Sequence, residues 1–119
     1  MMRVLIVEDD PFLSLDLSNE LIKRGYSVVG IAGNVATAMK LISHCECDIA
    51  ILDVNLGKET AAPVALELSA RQLPFVTVTG YSSEQCPPEF RSGPIVVKPV
   101  RIGVLVSELQ KHAAPRTLP

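Results

Sequence analysis

Two apolar runs of this chain end in carboxylates, and the residues that close two others could join them in phosphorus or metal chemistry. Val4-Leu5-Ile6-Val7 runs into Glu8-Asp9-Asp10, and Asp48-Ile49-Ala50-Ile51-Leu52 runs into Asp53. Short, continuous runs rich in β-branched residues read as strands buried on both faces of a parallel sheet. Neighbouring strands of that kind bring their terminal acids to one edge, where like charges repel. A hard divalent cation with oxygen ligands relieves the repulsion, so the pattern predicts a magnesium pocket. A carboxylate in such a pocket can also act as a nucleophile toward phosphorus, forming an aspartyl phosphate. Two further runs supply the remaining groups: Phe75 to Val78 closes on Thr79 and Gly80, and Ile95-Val96-Val97 closes on Lys98 and Pro99. The Thr79 hydroxyl could bond a phosphoryl oxygen. Magnesium held by Asp9 and Asp53, and the Lys98 ammonium as a point charge, would neutralise charge in a metaphosphate-like transition state.

The elements that must position these residues alternate along the chain. After the acidic triplet, Phe12, Leu13, Leu15, Leu17, Leu21 and Ile22 recur at three- and four-residue steps, one face of a helix opened by Pro11 and ended by Lys23-Arg24-Gly25. Tyr26 to Ala32 reads as a second strand, and Val35, Ala38, Met39, Leu41 and Ile42 as a second helix. A loop, Val54 to Glu59, follows Asp53. A third helix is expected from near Thr60 to Arg71 or Gln72, with Pro63 in its first turn and Val64, Leu66 and Leu68 as its apolar contacts. Phe75 to Thr79 and Ile95 to Val97 are the fourth and fifth strands, and Val104, Leu105 and Leu109 mark a last helix to about His112. Between those two strands, three prolines and a glycine in residues 82–94 make a regular helix improbable, so the fourth helix is expected to be short or irregular. Such alternation predicts an α/β fold, a doubly wound five-stranded parallel sheet in a three-layer sandwich. In these sheets ligands bind at the carboxyl ends of the strands, where every residue singled out above falls.

Composition narrows the function classes. At 119 residues the chain is read as one domain, residues 1–119, with an ordered core of about 2–112 and a frayed tail over 113–119. Hydrophobic residues make up 48% and charged residues 20%, the balance of a globular chain with a single core. A formal charge of −2 without a Lys/Arg cluster leaves no footprint for nucleic acid. No apolar run approaches the roughly 20 residues that cross a bilayer. Met1-Met2-Arg3 runs straight into a strand with no secretory signal, so a cytoplasmic protein is expected. Cys45, Cys47 and Cys86 are too few and odd in number for a disulfide framework. His44-Cys45-Glu46-Cys47 lacks a second ligand pair for zinc and reads better as filler at a helix end.

Taken together, an acidic pair after the first strand, Asp after the third, Thr after the fourth and Lys-Pro after the fifth resemble the receiver domain of two-component response regulators. The resemblance covers essentially the whole chain, and it implies a flavodoxin-like receiver fold. By position it implies that Asp53 is the phospho-acceptor, with Thr79 and Lys98 as the family's hydroxyl and lysine. It also implies a magnesium site from Glu8, Asp9, Asp53 and the backbone carbonyl of Asn55, with Asp9 a direct ligand and Glu8 acting through water. Asp10 reads as the cap of the first helix. The Lys98-Pro99 bond is cis in relatives. The pattern also departs from the family: Ile95 stands where most receivers carry Tyr or Phe, and Val100 replaces the common Phe after Lys-Pro. The run Pro74, Phe75, Thr79, Gly80, Tyr81 partly resembles a stand-alone receiver group nicknamed FAT GUY, with Thr77-Val78 where the nickname's Phe-Ala would be. Without the usual aromatic at the fifth strand, the conformational readout is expected at Tyr81 and residues 82–94. The alternative has Tyr81 merely covering the pocket mouth.

The reading is a stand-alone response regulator that accepts a phosphoryl group on Asp53 from a sensor histidine kinase or a phosphotransfer protein. With no output domain expected beyond the last helix, signalling to an unknown downstream target is expected through protein–protein contact, as a monomer or weak homodimer. The chain is not expected to be an enzyme beyond promoting its own phosphorylation and dephosphorylation. One rival is a pseudo-receiver interaction module that phosphorylation does not regulate. Another is a metal-dependent phosphohydrolase, which would want Asp where Asn55 stands. A dinucleotide-binding domain fits poorly, because the first turn, Glu8-Asp9-Asp10-Pro11, is acidic and lacks glycine.

Overall fold

A computed structural model of the chain describes residues 2–44, 46–80 and 85–112. Its elements are β1 (Arg3–Val7), α1 (Pro11–Lys23), β2 (Ser27–Ala32), α2 (Val35–His44), β3 (Ile49–Asp53), β4 (Asn55–Leu56), β5 (Glu59–Thr60), α3 (Ala62–Ala70), β6 (Phe75–Thr79), a 3₁₀ turn (Pro88–Phe90), β7 (Ile95–Val97) and α4 (Ile102–His112). Five of the strands form one parallel sheet in the order β2-β1-β3-β6-β7. The chain leaves β1 for β2 on one side and then returns to place β3 on the other. The order therefore reverses between β1 and β3, and the crevice of a doubly wound sheet opens at their carboxyl ends.

Strand side chains alternate between two apolar layers, as the twofold period of a strand requires. Val4, Ile6, Ile49, Ile51, Val76 and Val78 face Leu17 and Leu21 of α1 and Leu105 and Leu109 of α4. Leu5, Val7, Ala50, Leu52 and Phe75 face Ala38 and Ile42 of α2, Val64, Ala65 and Leu68 of α3, and Phe90. No helix among the described residues is long and apolar enough to cross a membrane.

Helix α1 corrects the expectation of a single apolar face. Its buried residues are Ser14, Leu17, Ser18 and Leu21, whereas Phe12, Leu15 and Ile22 are exposed. Six apolar residues are more than one stripe can hold. The small serines let the helix approach the sheet, and Ser14 keeps its hydroxyl satisfied on the Pro11 carbonyl at 3.2 Å. Asp10 caps the helix as expected, accepting the N–H groups of Phe12 (3.0 Å) and Leu13 (3.3 Å). Gly25, at φ 90°, supplies the left-handed residue that ends it. In α3 and α4 the same sorting leaves Leu66 and Val104 exposed. Helix α3 starts at Ala62 rather than near Thr60, because Thr60 belongs to a hairpin.

Residues 85–94 form no regular helix beyond the 3₁₀ turn, in keeping with their prolines. The segment is nevertheless packed. Phe90 and Cys86 are buried, Arg91 Nε donates to the Cys86 carbonyl at 2.9 Å, and the Pro94 carbonyl accepts the Thr77 N–H at 2.9 Å. A Cβ at Gly93 would lie 2.3 Å from the Phe75 carbonyl oxygen, so only glycine lets the backbone pass so close to β6. Tyr81, residues 82–84 and the tail expected to fray, 113–119, lie outside the described residues. Cys47 is buried at the end of the turn after α2, as a filler residue would be.

Candidate functional site

Each functional side chain stands where its strand runs out. Parallel pairing of β1 with β3 sets Val7 beside Leu52, which places Glu8 and Asp53 at adjacent strand ends. Pairing of β6 with β7 sets Thr79 beside Val97, and the Lys98 N–H donates to the Thr79 carbonyl at 2.8 Å. The Lys98–Pro99 peptide bond is cis, as the family resemblance implies. Lys98 then reaches back along the edge, its Nζ 2.9 Å from Asp53 Oδ2 and 3.2 Å from Glu8 Oε1. Glu8, Asp53 and Thr79 are buried, Asp9 and Asn55 are exposed, and Lys98 lies between those extremes.

The carboxylates are crowded and only partly compensated. Glu8 Oε2 accepts the Asp10 N–H at 3.0 Å while Oε1 meets Lys98. Burial pushes the Glu8 carboxyl up to about 7, with the Asp53 charge adding to the rise and the Asp10 amide and Lys98 opposing it. The Lys98 ammonium is held above its ordinary range. Burial lowers it, but the hydrogen bond and charge of Asp53, joined by Glu8, outweigh that. Asp9 is fixed from the other side, where the Gly57 N–H donates to its Oδ2 at 2.8 Å.

The acidic cluster fits a divalent cation. Carboxylate oxygens of Glu8, Asp9 and Asp53 lie within 4.8 Å of one another, and this is the one such group among the described residues. Three hard oxygen donors around one ammonium leave negative charge that a magnesium-sized ion could offset. Of the residues expected from the sequence, Glu8, Asp9, Asp53, Thr79 and Lys98 gather at this edge. Asn55 sits at its rim on β4, and Tyr81 is outside the described residues.

A structural part of the site went unforeseen. The loop after Asp53 is a β-hairpin, β4 and β5 paired Asn55 to Thr60 and Leu56 to Glu59. Its two-residue turn is Gly57-Lys58, with Gly57 at φ 64°. A Gly-first pair between a buried Leu56 and polar neighbours is a recognisable hairpin signal.

A doubly wound sheet with acids, a hydroxyl and a lysine gathered at its switch point has the features expected of a receiver domain. The chain belongs to the response regulator receiver domain family, whose model matches residues 4–110. Among curated relatives, the transcriptional regulatory protein PdtaR of Mycobacterium tuberculosis is 30% identical over 112 residues, covering 91% of this chain and 55% of that protein. The chain spans about half the length, or less, of the curated relatives it matches. Among solved structures, SdrG from Sphingomonas melonis Fr1 is 37% identical with a TM-score of 0.79, covering 92% of this chain and 93% of that one. TrrA from Thermotoga maritima, a response regulator protein in complex with magnesium and beryllium fluoride, is 26% identical with a TM-score of 0.82, covering 93% and 98%.

Proposed function

We propose that this chain is a stand-alone receiver that takes a phosphoryl group onto Asp53 from the phosphohistidine of a sensor kinase or phosphotransfer protein. Residues 4–110 act as one cytoplasmic unit that signals by protein–protein contact, as a monomer or weak homodimer. The observation that carries the reading is the Lys98 ammonium bridging buried Asp53 and Glu8 at 2.9 and 3.2 Å.

In the proposed reaction an Asp53 carboxylate oxygen attacks phosphorus. A P–O bond forms as the P–N bond to the donor imidazole breaks, and the imidazole leaves with the electron pair. Lys98 faces the charge that builds on the phosphoryl group, and the Thr79 hydroxyl donates to one of its oxygens. Glu8, Asp9, Asp53 and the Asn55 carbonyl would hold magnesium, Glu8 through water. When bound, that ion supplies positive charge against the phosphoryl oxygens. The magnesium and beryllium fluoride carried by TrrA support this choice. The chain is catalytic only in promoting its own phosphorylation and dephosphorylation, with the side chains of Asn55 and Tyr81 tuning hydrolysis.

The test is intact mass after incubation with acetyl phosphate and magnesium, beside Asp53→Asn and a metal-free control. A gain of one phosphoryl group, lost in both controls, is the expected result. No gain, together with no binding of beryllium fluoride, would replace this reading with a receiver-like interaction module that phosphorylation does not regulate.

A further inference from the structure

The β4–β5 hairpin lies between the acidic cluster and α2 and is tied to both. On one side, the Gly57 N–H holds Asp9 Oδ2 at 2.8 Å. On the other, the Glu59 carboxylate accepts the N–H of Val35, the first residue of α2, at 3.0 Å across 24 positions of sequence. Helix α2 already has a cap of its own, because Asn34 Oδ1 accepts the Thr37 N–H at 2.8 Å and the Asn34 carbonyl accepts the Ala38 N–H at 3.1 Å. The Glu59 bond is therefore an addition to a capped helix, and its main consequence falls on the hairpin. Two ladder pairs cannot hold a hairpin in shape alone. Further anchors include buried Leu56 and the Ala61 N–H on the Val54 carbonyl at 2.8 Å.

We propose that Glu59 is a positioning residue for the phospho-acceptor site. By pinning the hairpin to α2, it keeps the Gly57 amide against Asp9 and so holds that exposed carboxylate in its metal-binding orientation. The inference rests on the magnesium site proposed above. It differs from an electrostatic role for Glu59 in a way that can be measured. A glutamine keeps the carbonyl acceptor for Val35 and loses the charge, whereas alanine loses both.

The experiment compares the full chain with Glu59→Ala and Glu59→Gln, reading Gly57 amide exchange and magnesium affinity from amide NMR shifts. In Glu59→Ala, Gly57 exchange should accelerate and magnesium binding should weaken by about tenfold, the scale typical of residues that orient a metal ligand. Glu59→Gln should restore both, with α2 still folded in each variant because Asn34 remains. Parent-like exchange and affinity in Glu59→Ala would overturn the proposal, as would a glutamine variant as impaired as the alanine one. If the parent itself fails to bind magnesium, the metal reading falls. Gly57 exchange then decides the pinning alone: acceleration reversed by glutamine upholds it, and no acceleration overturns it.

Discussion

The two ends of the sheet carry the same set of charges in opposite circumstances. At the carboxyl edge Lys98 lies between Glu8 (3.2 Å) and Asp53 (2.9 Å), and at the amino edge Arg3 lies between Glu46 (3.0 Å) and Asp48 (3.3 Å). The side chains of Glu8 and Asp53 are 3% and 9% exposed, whereas those of Glu46 and Asp48 are 87% and 38% exposed. A cation between two acids is therefore no site by itself. In water the Arg3 cluster is a clip that fixes where β1 and β3 begin. Asp48 Oδ2 accepts the Arg3 N–H at 2.7 Å, and the Asp48 N–H donates to the Arg3 carbonyl at 2.8 Å. Out of water, the same set leaves poorly compensated negative charge, which suits the divalent cation and the phosphoryl acceptor proposed above.

The largest difference between the two ends should appear in phosphorylation. Lys98→Met removes the charge and keeps most of the stem, and it should slow phosphoryl incorporation from acetyl phosphate by about a hundredfold or more. Arg3→Met at the other end should leave that rate essentially unchanged. Intact mass against time reads both, and similar rates in the two variants would break the comparison.

Stability against pH should separate the ends by sign. The Glu8 carboxyl, raised to about 7 mainly by burial, binds its proton more tightly in the folded chain than in the unfolded one, where the ordinary value is 4.5. Its contribution is then fully present below the unfolded value and is lost as pH rises through about 7. The metal-free protein should lose melting temperature between about pH 5 and about pH 8, and Glu8→Gln should flatten that slope. Melting curves across the range check it. A parent curve as flat as the variant's would mean that Glu8 is not the strained group.

How much of this was legible in the sequence depends on the length of the signal. Phe75–Thr79 and Ile95–Val97 match the strands read from the sequence, because continuous β-branched runs bounded by proline or polar residues permit little else. Strand order then delivers the acids, Thr79 and Lys98 to one edge. The buried face of α1 was not legible. Ser14 and Ser18 are buried by close approach to the sheet, a tertiary effect that overrides their polarity, and surplus leucines disguise the stripe. The β4–β5 hairpin escaped because two-residue strands are shorter than any periodicity. The approach of Lys98 to the acids was expected, and the sheet shows what it takes. Its strand is two positions from β3, about 10 Å at ordinary strand spacing, so the pair depends on a long side chain crossing the end of β6.

The smallest expected effect completes the comparison at the amino edge. Burial tends to raise the Asp48 carboxyl, but the Arg3 amide, its side-chain hydrogen bond and its charge together hold it below the ordinary 3.8. Here the folded chain binds the proton less tightly than the unfolded one. The contribution is present above the unfolded value and is lost as pH falls through the depressed folded one, the opposite sign to Glu8. Because Asp48 is more than a third exposed, solvent screens the pair, and Asp48→Asn should cost less than about 1 kcal/mol near neutrality. Asparagine keeps an acceptor for the Arg3 amide, so the substitution chiefly removes the charge. Urea midpoints of parent and variant should differ slightly near neutrality and converge only as pH falls through the depressed folded value of Asp48, below the ordinary 3.8, where both side chains become uncharged. A gap that persists in acid would assign the amino-edge clip to hydrogen-bond geometry, and the contrast between the two ends would no longer be one of charge and burial alone.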